Sequence, residues 1–179
     1  DTHTCIITAD GALFTFGDNR HGKLGLGHTH STHTPQHVKL PGDVPVAQAA
    51  CGGDHTCIIT AKGALLTCGS NQRGQLGLGI EASWRTIRAT PQRVGLPRGG
   101  RAARVACGID HTCVVTVDGG LFACGQTPFG DSLKLTLQRV QLPGGVAAAQ
   151  VACGLNHICV VTTGWRSGCL LACGDNSSG

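Results

Sequence analysis

The chain is built from one sequence unit that occurs four times. Each complete copy begins with Ala-Cys-Gly, reaches a histidine three residues later and continues through two apolar runs separated by a glycine turn. The copies occupy 50–69, 106–125 and 152–174, with a partial copy at 1–17. The equivalent histidines are His3, His55, His111 and His157, so that successive units are 52, 56 and 46 residues apart. A repeat of this length is typical of propellers and solenoids, in which each unit buries its apolar face only against its neighbours.

Each unit is predicted to contain short β-strands. The apolar runs flank a turn at Asp10-Gly11, Lys62-Gly63 and Asp118-Gly119, and Asp-Gly between β-rich runs is a strong signal for a hairpin with a two-residue turn. A glycine loop, a proline-led apolar segment and another short strand follow, and no segment has helical periodicity. The sequence therefore predicts an all-β fold, a β-propeller of four-stranded antiparallel blades. The predicted units are approximately 1–34, 35–90, 91–136 and 137–179, about three and a half blades.

Charge and hydropathy exclude several classes of protein. The net charge is +4, and Lys and Arg are scattered, so we expect neither a nucleic-acid-binding arm nor a membrane-binding patch. No apolar stretch approaches the length of a membrane-spanning helix. The first residues do not have the charged-then-apolar pattern of a secretory signal, and we expect any targeting signal to lie outside this segment. Because the chain opens inside one unit and stops inside another, we expect it to be part of a longer propeller. Its open blade edges predict self-association of the isolated chain.

Several motifs together resemble a known repeat family. They are the glycine loop GSNQRGQLGLG at 69–79, the Pro-x-x-Val segment at 91–94, VACGIDHT at 105–112 and the Asp-Gly turn that precedes Leu121-Phe122. This combination is similar to the regulator of chromosome condensation repeat. The resemblance implies a ring of seven blades, of which this chain supplies about half. It also implies either a guanine-nucleotide exchange factor for a small GTPase, or a recognition module within a ubiquitin ligase. The plant ultraviolet-B receptor of the same family depends on a tryptophan cluster, whereas this chain has two Trp.

The repeated histidines are predicted to be structural, each hydrogen-bonding nearby backbone at a blade corner. The glycine loops lack the Gly-Lys-Ser/Thr ending of a phosphate-binding loop, so we expect their glycines to allow tight turns. His28, His30 and His33 lie close together in the sequence and could bind a metal ion. Structural zinc sites usually include cysteine, however, and a polar loop of His, Thr and Ser is more often simply exposed to solvent. We therefore predict no cofactor, no metal site and no catalytic residue in this segment.

The eleven cysteines leave two alternatives open. If the hairpin turn has two residues, Cys57 faces Cys68 and Cys113 faces Cys124, with Cα atoms about 5 Å apart and within disulfide range. The second alternative is that the cysteines are small buried apolar residues between blades, reduced in the cytoplasm or nucleus. The odd number of cysteines, and Phe16 opposite Cys5, favour this second interpretation.

A binding module is the function that the architecture favours, because loops on a rigid propeller are where partners are met. We expect a protein–protein interaction scaffold, with exchange of guanine nucleotide on a small GTPase and a disulfide-stabilised extracellular propeller as alternatives. Partner contacts are expected where the units differ and carry large aromatic or cationic side chains. These candidates are Trp84, Arg85, Phe129, Trp165 and Arg166.

Overall fold

A computed structural model describes residues 3–79, 86–130, 132–164 and 168–175. The regular structure of these residues consists of fourteen β-strands and two short 3-10 turns, Pro97–Gly99 and Pro143–Gly145. The strands of the first half are β1 (His3–Ile7), β2 (Leu13–Gly17), β3 (Thr32–His37), β4 (Val46–Cys51), β5 (His55–Thr60), β6 (Leu65–Ser70) and β7 (Ile87–Val94). Those of the second half are β8 (Ala102–Cys107), β9 (His111–Thr116), β10 (Leu121–Gly125), β11 (Lys134–Arg139), β12 (Ala147–Cys153), β13 (His157–Thr163) and β14 (Leu170–Gly174).

The strands form four antiparallel sheets in chain order, which are the blades of a partial β-propeller. Their strand orders are β1-β2-β3 for blade 1, β4-β5-β6-β7 for blade 2, β8-β9-β10-β11 for blade 3 and β12-β13-β14 for blade 4. The first strand of blade 3, β8, contacts both β4 and β12, the first strands of its neighbours. These strands therefore line the inner side of the arc, and β3, β7 and β11 form its outer edge. The predicted fold is confirmed.

The blades do not coincide with the predicted sequence units. The boundaries placed after residues 34, 90 and 136 fall within β3, β7 and β11, so each proline-led segment completes a blade instead of starting one. Pro35 and Pro91 lie on outer strands, each hydrogen-bonded to only one partner strand. Proline is tolerated there because an edge strand does not need every N–H group for the sheet.

The hairpin turn has three residues, which corrects the predicted register. The Thr60 amide donates to the Ala64 carbonyl at 2.9 Å, and Gly63 closes the turn with a φ of +78°. Cys57 is consequently opposite Thr67. Blade 3 has the same register, with Cys113 opposite Ala123. In this three-residue turn Lys62 and Gly63 are the second and third residues, with glycine in the left-handed conformation, whereas in a two-residue turn they would be the first and second.

The apolar core lies between blades. One cluster joins Cys57, Leu65 and Val94 of blade 2 to Val105 and Val114 of blade 3. A second cluster joins blade 3 to blade 4, and a third joins blade 1 to blade 2. Each blade thus buries its apolar face against its neighbour, as the repeat predicts.

The face of blade 4 that is turned away from blade 3 carries an exposed apolar side chain. Leu121 on β10 is 2% exposed, whereas Leu170, at the equivalent place on β14, is 68% exposed. No helix in the described part of the chain is long and apolar enough to cross a membrane.

Candidate functional site

The arc presents two faces, at opposite ends of the strands. The glycine-loop face is formed by residues 18–31, 52–54, 71–79, 108–110, 126–130 and 154–156. The Ser70 amide donates to the Asp54 carbonyl at 2.8 Å, which holds two of these loops at the same end of blade 2. The hairpin face, formed by 8–12, 61–64, 95–101 and 117–120, lies at the other end, where the Val117 amide donates to the Arg101 carbonyl at 2.9 Å.

The first two glycine loops pack on the following blade. The Gly27 amide donates to the Ala89 carbonyl, and the Gly79 amide to the Leu135 carbonyl, both at 2.8 Å. Gly22 has a φ of +72°, and a Cβ there would lie 2.8 Å from the Cα of Ala89. These glycines therefore serve tight turns, as the sequence predicts, and also allow a close approach between blades, which was not predicted.

Two of the repeated histidines, His3 and His55, each link one blade to the next through a threonine. His55 Nε2 lies 2.8 Å from Thr112 Oγ1 of blade 3, and the Thr112 hydroxyl donates to the Gln75 carbonyl at 2.8 Å. Because Thr112 uses its proton on that carbonyl, the imidazole N–H must be the donor to its oxygen. His3 and Thr56 repeat this pair between blades 1 and 2. The predicted structural role thus involves a threonine hydroxyl of the next blade, where sequence reasoning expected nearby backbone.

A buried lysine joins blades 1 and 2. Lys23 Nζ lies 2.9 Å from Asp18 Oδ2 and 2.9 Å from Asp54 Oδ1, and the Lys23 side chain is only 2% exposed. Burial raises the pKa of Asp18, but hydrogen bonds and charge from Lys23 and Arg20 outweigh it and lower that pKa to about 2. This ionic contact was not predicted; its only sequence signal is a lysine inside a glycine loop.

The described cysteines are all free thiols, so the Cys57–Cys68 and Cys113–Cys124 disulfides, one of the two alternatives left open by the sequence, are not formed in the structure. Cys57 lies against Thr112 of the following blade, while Cys68 Sγ lies 3.5 Å from the Lys23 carbonyl oxygen of the preceding blade. Cys113 and Cys124 point apart in the same way, since Cys124 contacts the Gln75 carbonyl oxygen of the preceding blade. The pairs are separated because adjacent positions of a strand face opposite sides of the sheet.

Cysteines of neighbouring blades meet instead. The Sγ atoms of Cys5 and Cys51 are 3.4 Å apart. The hydrogen bond from Cys5 lowers the pKa of Cys51 to about 5, and the same contact, with burial, raises the pKa of Cys5. The hydrogen bond from Cys113 likewise lowers the pKa of Cys153 to about 6. In each pair one thiol ionises readily and its partner keeps its proton.

At the junction between blades 2 and 3, a histidine lies close to a pair of cysteines. His55, Cys57 and Cys107 place one ligand atom each within 4.8 Å of one another, and they are the only group of this kind among the described residues. The histidine-rich loop of blade 1 forms no such group. There, the His30 amide donates to His28 Nδ1 at 3.2 Å.

Exposed apolar side chains collect on the glycine-loop face. Ile109 is 37% and Leu155 is 64% exposed, and the Ile109 amide donates to the Leu155 carbonyl at 3.2 Å. We call Ile109 and Leu155 the apolar patch. Phe129 and Leu133, on the third glycine loop, are also exposed. Of the predicted contact residues, Phe129 is therefore exposed on the glycine-loop face, whereas Trp84, Arg85, Trp165 and Arg166 lie outside the described residues.

Ile109 and Leu155 were not predicted as contact residues. Their only signal is that the position between the repeated glycine and the acidic or amide residue varies, being Gly53, Ile109 and Leu155 in successive units.

A family model for the regulator of chromosome condensation (RCC1) repeat matches residues 10–59 and 62–115, more than half of the chain. The chain belongs to this family. A second model of the same repeat matches residues 46–75 and 102–130.

The curated relatives of this RCC1-repeat chain belong to different functional classes. It is 40% identical over 130 residues to human probable E3 ubiquitin-protein ligase HERC3 and 37% identical over 131 residues to mouse secretion-regulating guanine nucleotide exchange factor. It is 35% identical over 130 residues to ultraviolet-B receptor UVR8 of Arabidopsis thaliana. These alignments cover 69%, 69% and 73% of the chain but only 12%, 26% and 29% of the respective relatives.

Solved propellers have the same arrangement of blades. Human WBSCR16 superposes with a TM-score of 0.78 at 28% identity, over 90% of this chain and 43% of that protein. Prp20p of Saccharomyces cerevisiae, a protein described with binding properties to Gsp1p and histones, superposes with a TM-score of 0.80 over 93% of this chain and 43% of that protein. At 19% identity the second likeness shows the fold alone.

Proposed function

We propose that this RCC1-repeat segment is a protein-binding module that recognises a partner through the apolar patch on its glycine-loop face. The observation that carries the proposal is the exposure of Ile109 and Leu155 side by side on neighbouring blades. Each blade is held by its neighbours, so the loops that carry these residues have fixed positions. Apolar residues on a rigid loop face are typical of partner-binding sites.

The polar surroundings of the patch suit a specific interface. Asp110 lies next to Ile109, and Arg73 Nε is 4.0 Å from a carboxylate oxygen of Asp110. An apolar centre with a charged rim is the usual arrangement of protein interfaces. The partner proposed here is therefore a folded protein surface with a complementary apolar centre. The free thiols support a reducing compartment, the cytoplasm or nucleus, as the place of binding.

This interface is tested by comparing substitutions on the glycine-loop face with a control substitution on the hairpin face. We expect Ile109→Ser combined with Leu155→Ser to weaken partner binding at least tenfold, because both changes remove apolar contact area at the patch centre. Val117→Ser is the matched control, since Val117 is 65% exposed at the other end of β9, on the hairpin face. Binding is measured by quantitative co-purification of the tagged full-length protein from cells, followed by titration of the recovered partner. Equal losses in the two variants, or none in either, would contradict the proposal.

A second candidate function is guanine-nucleotide exchange on a small GTPase, favoured by the 37% identity to the mouse exchange factor. If it is correct, the full-length protein at substoichiometric amounts will accelerate release of fluorescent GDP from its GTPase at least tenfold. The assay uses a panel of small GTPases, with protein carrying Ile109→Ser and Leu155→Ser as the comparison. Stoichiometric binding without GDP release supports the scaffold function alone.

A further inference from the structure

The junction between blades 2 and 3 holds three metal-ligating side chains of mixed type. His55 and Cys57 are two residues apart on β5, so both side chains project from the same face of blade 2. Cys107 ends β8 of blade 3 and faces them. Their ligand atoms lie within 4.8 Å of one another, and His55 and Cys57 are fully buried.

The two ring nitrogens of His55 have different surroundings. Nε2 is hydrogen-bonded to Thr112, whose hydroxyl oxygen lies 3.4 Å from Cys57 Sγ. Nδ1 is buried beside Gly52 and has no hydrogen-bond partner among the described residues.

The two other blade junctions repeat the residue types. His3, Cys5 and Cys51 stand between blades 1 and 2, with the two Sγ atoms 3.4 Å apart. Between blades 3 and 4, Cys153 packs against the cluster that contains Cys113, and Cys113 and His111 lower its pKa. Two sulfurs on one tetrahedral Zn²⁺ are about 3.8 Å apart, as follows from a Zn–S distance of about 2.3 Å. The Cys5 and Cys51 thiols are therefore near the separation that a shared metal ion requires, and the ligand atoms of Cys57 and Cys107 are within 4.8 Å of each other.

We propose that His55, Cys57 and Cys107 form a binding site for a thiophilic metal ion, Zn²⁺ or Cu⁺. Thiolate and imidazole are the ligands that these ions prefer in proteins. On binding at neutral pH, the ion displaces the proton that Cys107 keeps, which is released to solvent, while Cys57 is already ionised; nothing is oxidised or reduced. Three protein ligands satisfy Cu⁺, whereas Zn²⁺ takes a fourth ligand. Because the ligands come from β5 and β8, the bound ion would join blade 2 to blade 3.

Metal titration of the full chain tests the site. Reduced, metal-free protein is titrated with Zn²⁺ against a chromophoric chelator and, without oxygen, with Cu⁺ against a Cu⁺ chelator. We expect one of the two ions to bind with at least micromolar affinity and with proton release, and the ion that binds identifies the metal. Cys107→Ala is expected to reduce the number of bound ions by one. Cys68→Ala is the matched control, because Cys68 is equally buried on the same hairpin but faces the other blade.

A second measurement needs no variant. The alkylation rate of Cys107, followed by mass spectrometry of its peptide, is expected to fall at least tenfold when the ion is added. Cys169 and Cys173, which are exposed and belong to none of the three clusters, should keep their rates. The proposal is overturned if neither ion binds, if Cys107→Ala and Cys68→Ala bind equal numbers of ions, or if the metal leaves the alkylation of Cys107 unchanged.

Discussion

Replacement of Gly108 by alanine is expected to destabilise the protein by about 3 kcal/mol, since it forces a side chain into a closed junction between blades. A Cβ at Gly108 would lie 2.0 Å from Cε1 and 2.5 Å from Nδ1 of the His111 ring. That ring is buried, and the Gly108 amide donates to the His111 carbonyl at 2.9 Å, so neither group can move without breaking the junction. The free energy of unfolding is measured from urea denaturation followed by circular dichroism.

The control for this prediction is Gly95→Ala. A Cβ at Gly95 would meet no atom within 4 Å, and Gly95 is not among the glycines with positive φ. The change should leave the stability unchanged or raise it by about 0.5 kcal/mol, because alanine restricts the unfolded chain more than glycine does. Equal urea midpoints for the two variants would show that the close approach of Gly108 and His111 does not constrain the fold.

Loss of the buried lysine should have a comparable effect. Lys23→Ala is expected to cost about 2–3 kcal/mol, because Asp18 and Asp54 lose the ammonium group that compensates their partial burial. Arg20→Ala is the matched control, since Arg20 binds the same Asp18 carboxylate but its side chain is 77% exposed. An exposed ion pair of this kind is screened by solvent and contributes little to stability. Urea denaturation of both variants at pH 7 gives the comparison, and equal losses would contradict a special role for Lys23.

The same contact predicts a pH dependence. In the folded protein the pKa of Asp18 is about 2, below its ordinary value of 3.8. The contribution of Asp18 to stability is therefore fully present above about pH 4 and is lost as the pH falls towards 2. Lys23→Ala should make the urea midpoint less sensitive to pH in this window, whereas Val117→Ser should retain the wild-type dependence.

Lys23→Gln adds a graded test of this contact. Gln75 occupies the equivalent place in the next glycine loop and donates to Asp110 at 3.3 Å, so an uncharged side chain can make the inter-blade contact. We expect Lys23→Gln to recover about half of the stability lost in Lys23→Ala. Recovery in full would mean that the charge of Lys23 contributes little.

Much of the fold follows from the sequence because the unit is repeated. The spacing of the histidines, the β-rich runs and the absence of helical periodicity predict four-stranded blades, since stacked blades bury similar apolar faces in succession. The glycines of the 17–27 and 69–79 loops likewise predict tight turns, and their positive φ values agree. These features are local, so residue type and spacing are sufficient to predict them.

The errors arise where one residue of register changes which side chains meet. Because the hairpin loop has three residues and not two, Cys57 faces Cys107 of the next blade, and Cys68 faces the preceding blade. The cysteines therefore pair between blades, and the alternative of pairs within one hairpin does not occur. The sequence pattern Asp/Lys-Gly is compatible with both turns. Only the strand pairing decides between them.

The sequence by itself determined the blade, the places of its turns and the dependence of each blade on its neighbours. The tertiary structure decided which side chains meet across a junction: His55 with Thr112, Lys23 with Asp54, and Cys57 with Cys107. It also decided that Ile109 and Leu155 lie together on one exposed face. The physical reason is that these contacts join residues some 30 to 60 positions apart. Their geometry depends on the packing of whole blades, which no local pattern records.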